Sequence, residues 1–186
     1  MYKLENFVLP KGFRGRNVFV VQLWWFVYTF FFRPSPQVMY AWRRFLLRLF
    51  GAKIGKKVII RPSAQITYPW KLTIGDYSWI GDEVVLYTLG NIEIGSNTII
   101  SQRSYLCTGS HDYNDEKFSI YAKPIVVKNS CWLATDVFVA PGVVIEDEVV
   151  IGARSSLYKD IVEKGVYKGN PAVKVSLSYE NHHNQQ

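Results

Sequence analysis

The sequence predicts an all-β chain: a parallel β-helix of hexapeptide repeats with a helical N-terminal cap and one protruding loop. Three observations carry that expectation. An aliphatic residue recurs at every sixth position, a small residue most often follows it, and the beat breaks at length only once, after His111. A short fixed period of this kind signals a solenoid in which each hexad is one face of a prism and three hexads make a coil. The aliphatic residue points inward, and the small residues allow tight corners where bulk would clash. No α-helix or ordinary sheet has reason to keep a period of six.

Residues 1–53 precede the beat. A run from Val18 to Phe32 is rich in Trp and Phe, is interrupted by Gln22 and Thr29, and at fifteen residues is shorter than the roughly 20 needed to span a bilayer. After Arg33-Pro34-Ser35-Pro36, residues 40–50 alternate at helical spacing, with Phe45, Leu46, Leu49 and Phe50 as the apolar face and Arg44 and Arg48 as the polar one. Gly51 closes that segment as a C-cap would. Two readings stand, and both can hold. The segment is a cap sealing the first coil, as an open solenoid end requires, or residues 13–50 make an interfacial anchor, with aromatics at headgroup level and arginines on anionic lipid.

The coils occupy residues 54–175. The beat runs through Ile54, Ile60, Ile74, Ile80, Ile94, Ile100 and Leu106, slipping by two residues between Leu72 and Ile74 and between Ile92 and Ile94, which reads as corner bulges. Residues 112–126 then leave the helix, and the beat returns at Val127, Leu133, Val139, Ile145, Ile151 and Leu157. A stack of coils needs no such excursion for stability, whereas a long loop on a rigid scaffold is where function tends to sit. Residues 176–186 form a polar tail holding His182 and His183.

Charge and cysteine usage narrow the class. Residues 1–61 carry twelve Lys or Arg against one acid, Glu5, while the remainder carries ten basic residues and fourteen acids. The cations surround apolar helices and no base-reading motif appears, so nucleic acid is not an expected partner. Cys107 and Cys131 fall at spacer positions beside inward aliphatics, and no disulfide framework or metal motif is present. No signal-peptide pattern opens the chain, so the expectation is a cytoplasmic protein. Zinc enzymes of β-helical shape need several histidines on their coils. This chain offers His111 alone there, so no metal is expected.

At His111 the sequence resembles a known family. Thr108-Gly109-Ser110-His111-Asp112-Tyr113 is similar to the catalytic-loop motif of hexapeptide-repeat O-acetyltransferases, as are Trp132-Leu133-Ala134 and Val139-Ala140-Pro141-Gly142-Val143. Ile151-Gly152-Ala153-Arg154-Ser155, Lys159-Asp160 and Gly169-Asn170-Pro171-Ala172-Val173-Lys174 resemble the family's coenzyme-binding end. Within the family, the colanic acid and capsule biosynthesis acetyltransferases are the most similar branch, and the resemblance covers nearly the whole chain.

That resemblance implies a left-handed β-helix, an exception to the usual right-handed crossover. It also implies a homotrimer with sites in the clefts between subunits, and acetyl-CoA as co-substrate. His111 would be the general base toward a sugar hydroxyl, a task that suits an imidazole because it titrates near neutral pH. Thr135 would supply the oxyanion donor, with Trp132 and Ala134 shaping the same wall. Ala153 would line the pantetheine channel, Asn170 would also bind the coenzyme, and Lys159 and Lys174 would meet its phosphates. Tyr113 would contact the acceptor. Simple galactoside and maltose acetyltransferases carry an acceptor-binding Asn where this chain has Gly81, so Asp82 substitutes for it or the acceptor binds differently. The implied function is an O-acetyltransferase acting on a sugar of a cell-surface polysaccharide pathway, with a carbohydrate acceptor that is polymeric or lipid-linked. An N-acyltransferase on an amino sugar and a non-catalytic scaffold are the rivals.

Overall fold

A computed structural model describes residues 2–175; the polar tail, with His182 and His183, lies outside the described residues. Strands of two or three residues stack into the three faces of a left-handed parallel β-helix. The first face holds Lys53–Ile54, Leu72–Ile74, Ile92–Ile94, Ile125–Val127 and Val144–Ile145. The second holds Ile59–Ile60, Trp79–Ile80, Ile99–Ile100, Trp132–Leu133 and Val149–Ile151, topped by the hairpin Gly165–Gly169 and Ala172–Val175. The third holds Gln65–Ile66, Val85–Tyr87, Tyr105–Cys107, Phe138–Val139 and Ser156–Leu157.

The hexad aliphatics are the core. Ile60, Ile80, Ile100, Leu133 and Ile151 stand in register on the second face, all fully buried. Inward hydroxyls make a second ladder: Ser78 donates to the Gly95 carbonyl (2.6 Å), Thr98 to Lys128 (2.7 Å) and Ser104 to Ala134 (2.9 Å). Buried hydroxyls are tolerable because each is bonded. Cys131 is a buried spacer in this ladder, its thiol donating to the Glu146 carbonyl at 3.0 Å.

The glycine after the aliphatic is required by the next coil rather than by its own backbone. A Cβ on Gly75 would lie 2.6 Å from the Ser96 nitrogen, and one on Gly95 would lie 2.6 Å from the Lys128 carbonyl carbon. Gly95→Ala therefore forces two coils apart, and its unfolding free energy should fall by about 1–3 kcal/mol. Chemical denaturation of the variant checks this, and an unchanged midpoint would remove the close-approach explanation.

The two phase slips place their extra residues at the edge between the third and first faces. Pro69–Lys71 forms a short 3-10 turn there, and Leu89-Gly90-Asn91 fills the same place one coil on. The long excursion leaves from this edge too. It is a β-hairpin, Gly109–His111 pairing antiparallel with Ile120–Ala122, and the chain re-enters the first face at Ile125, two residues ahead of Val127.

Helices α1 (Val18–Val27, continued by a π-helical turn through Phe32) and α2 (Tyr40–Leu49) cover the open end of the first coil. Here the expected division of α2 holds only in part: Leu46 is buried, Phe50 packs against the core and Arg48 is exposed, as expected. Arg43, Leu46 and Leu47 are its buried residues, whereas Phe45 and Leu49 face outward. The reason is the orphan carbonyls at the end of a sheet stack. Arg43 donates to Ile60, Pro36 and Gln37 carbonyls and to Ser35 Oγ, Arg44 to the Val58 carbonyl, and Arg48 to those of Ile54 and Gly55. From α1, the Trp24 indole and the Tyr28 hydroxyl donate to the Ile66 and Ala64 carbonyls. Arginines seal this end because each offers several donors in a rigid fork.

Candidate active site

His111 ends the outgoing strand of the hairpin, opposite Ile120. Its Nδ1 lies 2.9 Å from the Phe118 carbonyl, and its ring stacks on the Phe118 ring at 4.3 Å between centroids, 9° from parallel. Phe7 approaches the ring from another side, at 5.7 Å. A carbonyl only accepts, so Nδ1 carries the proton and Nε2 presents a lone pair. Sequence reasoning missed Phe118, and for good reason: the orienting atom belongs to the backbone. Asp112, adjacent to His111, accepts from the Asn114 N–H at 2.9 Å and so closes the turn at the hairpin tip instead of orienting the imidazole. Tyr113 stands exposed at that tip.

Apart from Tyr113 and Lys159, the other expected residues do not share an edge with His111 within one chain. Trp132 lies on the second face and Ala134 just beyond it. Asp82, Thr135 and Ala153 stack on successive coils along the edge between the second and third faces, with Gln102 between Asp82 and Thr135. Thr135 Oγ1 donates to the Gln102 carbonyl (3.0 Å), which leaves its backbone N–H with no acceptor among the described residues. The N–H groups of Asp82, Gln102 and Ala153 are likewise without one. This edge therefore carries a row of amide donors without partners among the described residues, spaced by coil stacking at about 4.8 Å. The Asn170–Pro171 turn sits above it, since the Gly169 N–H donates to Ser155 Oγ at 3.1 Å.

Lys159 is exposed and follows the last strand of the third face, so it shares the third-to-first edge with His111. Lys174 pairs with Glu163 at 2.6 Å on the terminal hairpin. Asp82 has both carboxylate oxygens engaged, by Arg61 at 2.9 Å and Ser63 at 2.8 Å. Along the second face a groove of about 480 Å³ runs between Trp79 and Trp132, with Arg61, Ser101 and Gln102 in its wall. The Trp132 indole is fixed by donation to Ser101 Oγ at 3.0 Å. Trp79 and Trp132 each precede an inward aliphatic, so their common face was legible in the hexad register.

Neither cysteine offers a rival nucleophile. Burial pushes both the Cys107 and Cys131 thiols above their ordinary pKa, so neither presents a thiolate near neutral pH. Burial also lifts the Tyr105 hydroxyl to about 12, with Cys107 and Tyr87 nearby adding to the shift. Among the described residues no group of three His, Cys, Asp or Glu is placed to hold a metal.

Comparison with known proteins places this geometry. No family model matches the chain. It is 64% identical over 173 residues to the colanic acid biosynthesis acetyltransferase WcaF of Escherichia coli (strain K12), covering 93% of this chain and 95% of that protein. It is 28% identical over 132 residues to the galactoside O-acetyltransferase of the same organism, covering 69% of this chain and 65% of that one. In fold it matches a maltose O-acetyltransferase of Clostridium difficile 630 with a TM-score of 0.77 at 24% identity, covering 86% and 88% of the two chains. A hexapeptide-repeat acetyltransferase of Vibrio cholerae, solved with acetyl coenzyme A, matches with a TM-score of 0.77 at 23% identity, covering 84% and 86%. A β-helix built on hexads, a histidine held on the hairpin that leaves it, and near two-thirds identity along almost the full length make this chain a member of the hexapeptide-repeat acetyltransferases, in the colanic acid biosynthesis branch.

Proposed function

We propose that the protein transfers an acetyl group from acetyl-CoA to a sugar hydroxyl of a cell-surface polysaccharide intermediate, as a homotrimer at the inner face of the cytoplasmic membrane. The observation that carries the reading is the oriented imidazole: the Phe118 carbonyl holds Nδ1–H and leaves Nε2 free. Nε2 takes the proton as the acceptor oxygen attacks the thioester carbonyl. Negative charge then develops on that carbonyl oxygen, where the unpaired N–H of Thr135 is a fixed donor, an interaction worth ~3 kcal/mol in such sites. Collapse of the tetrahedral intermediate breaks the carbon–sulfur bond, and the imidazolium returns its proton to the departing coenzyme thiolate. Lys159, Lys174 and Asn170 would hold the coenzyme, with Ala153 leaving room for its pantetheine arm. Trp132 and Ala134 would wall the thioester. Tyr113 would face the acceptor; Asp82, committed to Arg61 and Ser63, would reach it through Arg61.

The separation of the two edges supports the trimer. His111 and Lys159 stand on one edge of the prism, and Thr135, Ala153 and Asn170 on another. A threefold arrangement that sets the first edge of one copy against the second edge of the next completes three equivalent sites.

Two inactive variants test this directly. His111→Ala removes the base, and Ala153→Trp blocks the edge of the amide row. Co-refolded in equal amounts, they should recover about a quarter of wild-type activity, because a quarter of the shared sites draw both intact edges from different subunits. No recovery, with trimers formed, would place the site within one chain. An acceptor panel of hydroxyl and amino sugars separates O- from N-transfer. For the donor, saturating acetyl-CoA at 100 times its dissociation constant should add about 2.7 kcal/mol of stability. No rise in Tm at millimolar coenzyme would favour the scaffold reading.

A further inference from the structure

The two helices at the N-terminal end turn a second apolar face away from the coils. Along α1 and its π-helical turn it consists of Phe19, Leu23, Phe26 and Phe30, spaced to fall on one side and 86, 53, 53 and 62% exposed. Along α2 it consists of Phe45 and Leu49, 52 and 67% exposed. The two stripes form one surface. Leu23 and Leu49 line the same shallow groove, while Trp42 donates to the Phe31 carbonyl at 2.9 Å and stacks on Phe45 at 5.8 Å. An apolar surface of this extent is rare on a free soluble protein and marks an interaction site.

The charges around it choose the partner. Arg16 precedes the stripe and Arg33 follows it, both exposed. Residues 1–61 hold twelve cations and one acid, and among the described residues Arg61 is the one cation of that segment in an ion pair. A second copy docked face to face would oppose this charge with itself, since a twofold contact pairs a surface with its own kind. An anionic bilayer offers both the apolar layer and the opposite charge. No helix among the described residues is long and apolar enough to cross a membrane.

We propose that this face docks flat on an anionic lipid bilayer, with Phe19, Leu23, Phe26, Phe30, Phe45 and Leu49 in the acyl boundary and Arg16 and Arg33 at headgroup level. The proposal deepens the membrane part of the reading above and rests on that part alone, not on acyl transfer. In a trimer of side-by-side prisms the three faces share one end, so individually weak contacts act together.

Vesicle flotation of the full chain tests it with no acceptor or coenzyme present, so its failure is distinct from failure of the catalytic reading. Wild type should float with phosphatidylethanolamine–phosphatidylglycerol vesicles and stay behind with phosphatidylcholine vesicles in 0.5 M salt. Phe26→Ser with Phe30→Ser, and separately Arg16→Glu with Arg33→Glu, should each weaken binding by about tenfold or more while Tm is retained. If wild type fails to float with anionic vesicles, or the variants bind as well as it does, the proposal is wrong. Concentration-dependent self-association abolished by the serine variant, without flotation, would equally overturn it in favour of a contact between copies.

Discussion

Replacing His111 by alanine should lower turnover by about two to four orders of magnitude, as expected for loss of a general base. Acetyl-CoA affinity should change little, because the imidazole is held by Phe118 within the hairpin and none of the residues assigned to the coenzyme depends on it for a hydrogen bond. Single-turnover kinetics with a calorimetric coenzyme titration separate the two quantities. Near-normal turnover would remove His111 from the mechanism. A matching loss of coenzyme affinity would mean that the hairpin had collapsed instead. Phe118→Ala is the informative companion: it keeps the carbonyl and removes the stacked ring, so a turnover defect there reports imidazole orientation alone.

The second large effect is expected far from the chemistry. Arg43→Met should cost about 1–3 kcal/mol of stability, because it leaves the buried Ile60 carbonyl unpaired and removes the bonds that tie Ser35, Pro36 and Gln37 to the helix. Burial pulls the pKa of this guanidinium down, yet a guanidinium remains charged in proteins and the carbonyl oxygens surround it. Methionine supplies similar length and no donors, so the loss measures hydrogen bonding more than volume. Urea denaturation of Arg43→Met beside Arg48→Met decides it, since Arg48 is exposed and should matter less. A loss under about 1 kcal/mol would show that the carbonyls find water.

That arginine also marks the limit of what the sequence could tell. The hexads were legible because every coil repeats one steric problem: Ile60, Ile80 and Ile100 fill the same place, and Gly75 and Gly95 avoid the same clash. At the stack's end the problem changes from apolar burial to unpaired carbonyls. Hydropathy therefore placed Leu46 and Phe50 correctly, but it put Phe45 and Leu49 inside and gave no sign that Arg43 would be buried. Of the site, His111 was legible from its place at the break in the beat and from the flanking motif. The Phe118 carbonyl was not, since any residue carries one. The division of the site residues over two edges required knowing which hexad falls on which face, which the slips between Leu72 and Ile74 and between Ile92 and Ile94 obscured.

The hairpin has a consequence for how such a protein can change. Its two strands, Gly109–His111 and Ile120–Ala122, are bonded to each other, and the Lys123 N–H is tied to the Thr108 carbonyl at 2.8 Å. The base stands at the far end of these paired strands, next to the tip that Asp112 to Lys117 close with their own side-chain turns. Phe118, whose carbonyl and ring aim the imidazole, is itself tied to the tip, its N–H donating to the Asp115 carbonyl at 2.9 Å. Under the proposed function, base orientation and acceptor choice are thereby coupled through one turn and cannot change independently.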